Sequence, residues 1–271
     1  MYHSNLNEFH LEMIKLMLKK FGNKFYQKIN FDKVLTLSYL KILDALEGWK
    51  SGYFLEEAAL LNRIFENFDS LENCDVGINS NITIESFPIP LHRQDKGKDA
   101  FGSDLAVTVY FEKINLLKTA FFQFKTSEDS KVQLKKSQLK DMLSYEWMKK
   151  LGFVVAIDKN KLDTKIKNCL DLRSQVDNTK KTKQFTTTKW FNYSEWLYMW
   201  LSSSTGESSD IDDSEDPEFQ LAEYVRPTNL PAFIKSKINS RGGSDNNIDG
   251  RMKEEPIPVR GWLIIHFKSE E

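Results

Sequence analysis

The chain has 271 residues, of which 40% are hydrophobic and 13% aromatic, and this composition excludes a mostly disordered protein. Its 38 Lys and Arg residues nearly balance 39 Asp and Glu residues, so the net charge of −1 excludes a polybasic protein that holds nucleic acid by bulk charge. No apolar run approaches the roughly 20 residues of a membrane-spanning helix, and the first residues do not resemble a secretion signal. Two cysteines without metal-ligand spacing predict neither a disulfide framework nor a zinc site. We expect a cytoplasmic protein without a membrane partner.

Helical periodicity dominates the start of the chain. Residues 1–50 carry apolar positions at helical spacing and are interpreted as a helical N-terminal segment. A further helix is predicted over residues 54–68, whose apolar side chains gather within roughly 60° of one direction. Glu57 lies inside this apolar sector, whereas Glu56 and Glu66 lie opposite it. Glu57 is therefore either a functional carboxylate or a half-exposed one that the helix dipole favours.

The middle of the chain alternates between strand and helix patterns. The expected order is a strand ending at the Pro88-Ile89-Pro90 turn, a hairpin of two strands, a helix that Ser137 caps, and a buried strand. The hairpin strands cover residues 104–111 and 119–125, the helix 137–151, and the buried strand 153–157. This order predicts an α/β protein with a mixed central sheet flanked by helices. We divide the chain into the N-terminal segment, a core over residues 51–160, and a C-terminal extension over residues 161–271.

The C-terminal extension gives fewer signals. Residues 159–189 are polar and Lys-rich, and residues 205–225 and 236–253 are expected to be surface loops. A capping box at Asn192 predicts a helix within an aromatic cluster that either packs in the core or stacks on bases. That cluster consists of Trp190, Phe191, Tyr193, Trp196, Tyr198 and Trp200. A last buried strand is predicted over residues 262–267, where His266 is interpreted as a core histidine rather than a base.

Four polar residues are predicted to converge on one face of the sheet. Asp104 opens the first hairpin strand, and Gln123 and Lys125 lie near the end of the second. Because side chains alternate along a strand, Gln123 and Lys125 share a face, while Phe122 and Phe124 occupy the other. If the hairpin is paired in register, that face lies beside Asp104, and the helix carrying Glu57 packs on the same sheet. The alternatives are that Asp104 only caps a turn and that Gln123 and Lys125 lie on a solvated face.

This set of groups suits metal-assisted hydrolysis of a phosphodiester bond. Mg²⁺ or Mn²⁺ prefers oxygen ligands, which Asp104, the Gln123 amide, the Phe124 backbone carbonyl and Glu57 can supply. Lys125 would orient the attacking water or help to deprotonate it.

At this point the sequence resembles the PD-(D/E)XK nuclease superfamily. The resemblance covers residues 53–158 and is to the members with glutamine in the third motif, such as Mrr-like restriction endonucleases. It implies a restriction-endonuclease-like core with the catalytic positions at Glu57, Asp104, Gln123 and Lys125. It also implies a Mg²⁺-dependent endonuclease that cuts DNA, in a prokaryotic restriction or anti-phage defence system with a protein partner or a second copy of itself.

Two questions stay open at this stage. RNA is an alternative substrate to DNA. Gln123 also stands where most members of the family have an acidic residue, so a second hypothesis is a degenerate nuclease fold that only binds nucleic acid or assembles a complex. Residues 112–189 carry 18 Lys and Arg against 9 Asp and Glu. Within this basic block, the predicted phosphate contacts are Lys131, Lys135, Lys136 and Lys140, with a solvated helix face as the alternative. His92 and Arg93 are interpreted as loop surface, although they could also reach phosphate.

Overall fold

The computed structural model describes residues 82–90, 102–112, 115–158, 163–173, 181–193, 196, 200, 217–222, 225, 227–241, 259 and 261–269. The predicted N-terminal helices, the helix that carries Glu57, and the loop with His92 and Arg93 lie outside the described residues.

The described residues form a mixed sheet with helices, an α/β architecture. The strands are β1 (Ile82–Pro90), β2 (Leu105–Phe111), β3 (Leu116–Glu128), β4 (Lys131–Lys135), β5 (Gly152–Asp158), β6 (Asp163–Asn168), β7 (Thr182–Thr186), β8 (Phe191–Asn192) and β9 (Gly261–Ser269). The main sheet has the order β1-β9-β2-β3-β5-β6-β8. Strands β4 and β7 lie off this path, where β4 pairs with both β3 and β7.

The predicted hairpin is present. Strands β2 and β3 pair antiparallel from Leu105 opposite Phe122 to Phe111 opposite Leu116. Their turn closes with a hydrogen bond from the Asn115 N–H to the Glu112 carbonyl, and Asn115 adopts the left-handed conformation that asparagine tolerates. Strand β3 extends to Glu128, beyond the predicted end at 125, because its last residues leave the main sheet to pair with β4.

The helix predicted over residues 137–151 is two helices, α1 (Lys136–Met142) and α2 (Glu146–Leu151). The prediction of a Ser137 cap was wrong, since Lys135 is the N-cap residue and no side chain caps the helix. The chain leaves the helical path at Leu143, where the Ser144 hydroxyl donates back to the Asp141 carbonyl. Helix α2 then leads directly into β5, which runs parallel to β3 with Phe121 opposite Gly152.

The first strand does not stop at the Pro88-Ile89-Pro90 turn, as the sequence suggested, but continues to Pro90. Strand β1 pairs with β9 alone, so it is the edge of the sheet that the described residues form. Pro88 and Pro90 have no N–H to donate, and prolines within sheets are mostly confined to edge strands.

Residues 161–271 contribute more regular structure than the sequence predicted. Strand β9 confirms the predicted last strand and lies between β1 and β2, parallel to β2, within the same sheet as the hairpin. Three further helices, α3 (Cys169–Arg173), α4 (Pro217–Ala222) and α5 (Ala232–Arg241), lie in stretches interpreted as polar or as loops. Those loop predictions were wrong where α4 and α5 lie, because short helices with few apolar residues leave little periodicity to read.

Helices cover the sheet face on which Gln123 lies. Phe121 of β3 belongs to a buried cluster with Leu139 and Met142 of α1 and Trp147 and Leu151 of α2. The opposite face carries the aromatic residues, where Phe122 packs against Phe153 and Trp196. Trp190, Tyr193, Trp196 and Trp200 are buried, which confirms core packing for these members of the cluster, whereas Phe191 is exposed. Tyr198 lies outside the described residues.

Candidate functional site

The strand register sets Asp104 opposite Gln123. Leu105 pairs with Phe122, and the Asp104 N–H donates to the Phe122 carbonyl at 2.8 Å, so the ladder continues one step beyond β2. Directly opposed residues of an antiparallel pair project to the same face of the sheet. The predicted convergence of these two side chains is therefore present.

The Asp104 carboxylate is hydrogen-bonded across the hairpin. Its Oδ2 accepts the Gln123 Nε2 at 2.5 Å and the Phe124 backbone N–H at 2.9 Å. The Gln123 Nε2 also lies 3.2 Å from the Phe124 carbonyl oxygen. Two of the predicted metal ligands, the Asp104 carboxylate and the Phe124 carbonyl, thus lie within hydrogen-bond distance of the amide nitrogen of a third, Gln123. The alternative interpretation, in which Asp104 only caps its own turn, does not account for these hydrogen bonds, because they join Asp104 to the neighbouring strand.

Both side chains are more buried than the sequence suggested. Asp104 is 6% exposed and Gln123 is fully buried, so Gln123 is not on a solvated sheet face. The position of Asp104 at the start of the hairpin suggested an exposed strand-end carboxylate, and this expectation was wrong. Lys125 is half-buried on the same strand as Gln123, two residues further on. Glu57 lies outside the described residues.

Gln138 on α1 is a site residue that sequence reasoning missed. Its Nε2 donates to the Gln123 Oε1 at 3.3 Å, so Asp104, Gln123 and Gln138 form a chain of hydrogen bonds. Together with the Phe124 carbonyl, they are called the Asp104–Gln123 centre below. The only sequence signal was a glutamine in the first turn of the helix that follows Gln123 and Lys125, and glutamines are common on helix surfaces.

Gly102 explains why α1 approaches the centre so closely. It has a positive φ of 64°, and a Cβ at this position would lie 2.5 Å from the Gln138 carbonyl oxygen. Only glycine combines this backbone conformation with so short an approach to another backbone. The segment before β2 therefore packs closely, at Gly102, against the helix that carries Gln138.

The donor set of the Asp104–Gln123 centre fits a hard divalent cation. The Ser103 hydroxyl and the Gln138 Oε1 are buried without a hydrogen-bond partner. The amide groups of Gln123 and Gln138 can each be rotated by about 180°, which exchanges their oxygen and nitrogen positions. The Gln123 oxygen then faces Asp104 and the Phe124 carbonyl. The Gln123 Nε2 in turn donates to the Gln138 Oε1, which has no donor in the present orientation. Carboxylate, amide and carbonyl oxygens would then lie next to one another, and these are the ligand types that Mg²⁺ and Mn²⁺ prefer. Among the described residues, no three His, Cys, Asp or Glu side chains form a metal-binding group.

The predicted phosphate-contact lysines lie next to this centre in the chain. Lys131 and Lys135 are exposed on strand β4, Lys136 is half-buried at the start of α1, and Lys140 is exposed on α1. The interpretation of all four as one solvated helix face was wrong, because half of them lie on a strand.

His266 belongs to a second polar cluster, at the opposite end of strand β2 from Asp104. It is buried, its Nδ1 lies 3.2 Å from Glu85 and its Nε2 lies 3.8 Å from Glu112. Its ring stacks on Tyr110 and contacts Phe233. Burial lowers the pKa of His266 although Glu85 opposes the shift. His266 thus lies in the core, as the sequence predicted, although its Nε2 has no hydrogen-bond partner among the described residues.

The lowered pKa of His266 predicts a loss of stability in mild acid. As the pH falls below about 6.5, the unfolded chain binds a proton at this histidine before the folded chain does, so the free energy of unfolding decreases. Above that pH the contribution is fully present. We expect His266→Gln to flatten the change in urea midpoint between about pH 7 and pH 5. His92→Gln is the control, and an unchanged slope in His266→Gln would contradict the prediction.

The fold and this centre together define a class: an α/β protein with a buried carboxylate–amide cluster at the end of a β-hairpin. Comparison of the chain with protein-family models, curated proteins and solved structures finds no match. None of the helices in the described part of the chain has the length and apolar character to span a membrane.

Proposed function

We propose that this chain is a divalent-metal-dependent nuclease that hydrolyses DNA phosphodiester bonds. The observation that carries the proposal is the contact of the Gln123 amide with both the Asp104 carboxylate and the Phe124 carbonyl, with Lys125 two residues further along the same strand. A restriction-endonuclease-like core is part of the proposal. It is supported by the antiparallel hairpin β2–β3 and by the helical connection α1–α2 to a strand parallel to β3.

Each residue of the centre has a distinct part in the proposed chemistry. Asp104, Gln123 and the Phe124 carbonyl hold the cation, and Gln138 fixes the orientation of the Gln123 amide. A Mg²⁺ or Mn²⁺ ion, when bound, lowers the pKa of water and offsets negative charge on the phosphate. Lys125 orients the attacking water and accepts or shares its proton. Glu57 remains the proposed fourth ligand.

The test of this function is direct. The purified chain is incubated with supercoiled plasmid in Mg²⁺, in Mn²⁺ and in EDTA, and nicked and linear products are measured. We expect cleavage in either metal and none in EDTA. Single-stranded DNA and RNA of matched length serve as competing substrates, because the choice between DNA and RNA is itself part of the proposal.

A second function is favoured by the burial of the centre. Because Asp104 is 6% exposed and Gln123 fully buried, the hydrogen bonds among them also suit a structural polar cluster that contributes to stability alone. The chain would then be a degenerate nuclease fold that binds nucleic acid or assembles with a partner protein or a second copy. Absence of cleavage in all metals, with DNA binding retained, is the result that this alternative predicts.

A role in prokaryotic restriction or anti-phage defence, in the cytoplasm, belongs to the first proposal and rests on the family resemblance.

Gln123→Glu separates the two functions without an activity assay. The substitution replaces the donor to Asp104 by a second carboxylate, so we expect the metal-free protein to lose about 2 kcal/mol of stability. A divalent cation should recover this loss, since two carboxylates attract it more strongly than one. Thermal melts with and without Mg²⁺ or Mn²⁺ measure both effects.

The control for this experiment is Gln133→Glu, the same chemical change at an exposed position. It should leave the melting temperature and its response to metal unchanged. If metal does not stabilise Gln123→Glu any more than the parent, the metal site is wrong and the structural alternative is preferred.

A further inference from the structure

Strands β4 and β7 form an antiparallel ribbon, called the basic ribbon below, whose strand β4 also pairs with the end of β3 at Lys131 and Val132. Lys131 pairs with Thr186, Gln133 with Gln184 and Lys135 with Thr182. All six of these residues are exposed, whereas Val132, Leu134 and Phe185 between them are buried. The ribbon therefore has one apolar face against the core and one polar face in solvent, with two glutamines opposite each other at its centre.

The two stretches of chain that form the basic ribbon are rich in lysine, although Glu128 of β3 pairs with Lys131 at one end of β4. Residues 131–140 and 181–190 contain seven lysines and no Asp or Glu. They are Lys131, Lys135, Lys136, Lys140, Lys181, Lys183 and Lys189. The two stretches are held together by the ladder and by the bond from the Lys136 N–H to the Lys181 carbonyl. On a chain whose net charge is −1, this is a local surface complementary to a polyanion.

We propose that the basic ribbon docks in the major groove of duplex DNA and reads its sequence through Gln133 and Gln184. A two-stranded ribbon fits the major groove, which is about 12 Å wide. Glutamine can form a bidentate pair with adenine there, and the threonine methyl groups can contact the methyl of thymine. Lys131 and Lys135 flank Gln133 on the same strand face and are spaced to meet phosphates at the groove walls.

The basic ribbon is joined to the Asp104–Gln123 centre at both ends of β4. At one end, Val132 pairs with Ser127 of β3, two residues beyond Lys125. At the other end, β4 runs directly into α1, whose Gln138 bonds to Gln123. DNA held on the basic ribbon would thus lie beside the proposed cleavage site. The inference rests on the proposed action on DNA and deepens it, because it assigns sequence reading to a surface apart from the chemistry.

The experiment measures binding without metal, so that its result does not depend on cleavage. The full chain, in EDTA, selects from a pool of random-sequence DNA duplexes, and the enriched sequence is compared with random duplex by fluorescence anisotropy over a range of salt. We expect an enriched sequence for the parent. In Gln133→Ala with Gln184→Ala, the preference for it should fall about tenfold or more, while affinity for random duplex is retained.

Lysine variants test the phosphate contacts. Lys131→Gln with Lys135→Gln should weaken binding to all duplexes equally and reduce the salt slope by about 2, or about 0.9 for each contact. Lys150→Gln, an exposed lysine on α2 with the same loss of charge, is the matched control and should bind like the parent. Melting temperatures of all variants should stay within a few degrees of the parent, since the substituted side chains are surface residues.

Three results would overturn the inference: no enriched sequence, an enrichment that survives loss of both glutamines, or equal competition by duplex RNA, whose deep and narrow major groove excludes a ribbon. A sequence preference without cleavage in Mg²⁺ or Mn²⁺ would sustain the inference and refute the nuclease. Cleavage that none of the ribbon substitutions changes would support the nuclease and refute the inference about the basic ribbon.

Discussion

Asp104→Asn is expected to reduce metal-dependent plasmid cleavage at least about 100-fold while the protein stays folded. Asparagine has the same shape as aspartate and keeps an oxygen that can accept from the Phe124 N–H and the Gln123 Nε2, the two donors that Asp104 serves. What it removes is the negative charge, which is the part of Asp104 that a divalent cation needs. Alanine is a poorer test, because it would leave both donors buried without an acceptor.

The control for Asp104→Asn is Asp171→Asn on α3. Asp171 forms a surface ion pair with Lys167, and such pairs contribute little to stability. Cleavage by Asp171→Asn should equal that of the parent, and both variants should melt cooperatively. Full cleavage by Asp104→Asn would remove the carboxylate from the mechanism and leave the centre as a structural cluster.

Lys125→Met is expected to retain divalent-metal binding and to lose turnover by about 100-fold or more. Lys125 is half-buried on the sheet face that carries Gln123, and no contact with the Asp104 carboxylate is required for its proposed role. Methionine replaces the lysine stem with one of similar length, so packing is preserved while the ammonium group is lost. Calorimetric titration with Mn²⁺, set beside single-turnover cleavage, separates binding from chemistry.

Lys125→Arg distinguishes the two ways in which the lysine can act. Arginine keeps the positive charge but does not release its proton, so it should restore cleavage if Lys125 only orients water or phosphate. It should fail to restore cleavage if Lys125 transfers a proton. Lys150→Met controls for loss of a lysine elsewhere on the surface. Metal binding that disappears together with turnover in Lys125→Met would contradict the assignment of separate roles.

Local patterns in the sequence were sufficient to locate the strands that carry the centre. Residues 153–157 are a continuous apolar run and residues 105–111 are apolar apart from Thr108, which is typical of strands buried on both faces, and β2 and β5 are buried throughout. A short connection between two such strands implies an antiparallel hairpin, whereas the opposition of Asp104 and Gln123 was expected only if the strands pair in register. The structure supplies that register, with β3 beginning at Leu116 rather than at residue 119. The alternation of side chains then assigned Phe122 to the aromatic face and Gln123 to the other.

Other features of the site depended on contacts between distant parts of the chain. Gln138 meets Gln123 only because Gly102 lets α1 approach the start of β2. In the basic ribbon, β4 pairs with a strand about fifty residues later in the chain, and local periodicity cannot predict such a pairing. Lys118 is another case, a lysine in a strand pattern that is fully buried and donates to the Trp200 carbonyl.

The sequence by itself determined the α/β class and the antiparallel hairpin, because periodicity and short connections act over neighbouring residues. Only the tertiary structure decided that β9 inserts between β1 and β2 and that Asp104 is buried. Only the tertiary structure, too, brought seven lysines and two glutamines onto the basic ribbon and its flanks. Each of these outcomes depends on which distant segments pack together, and that choice is made by the total apolar surface buried rather than by any single stretch of chain.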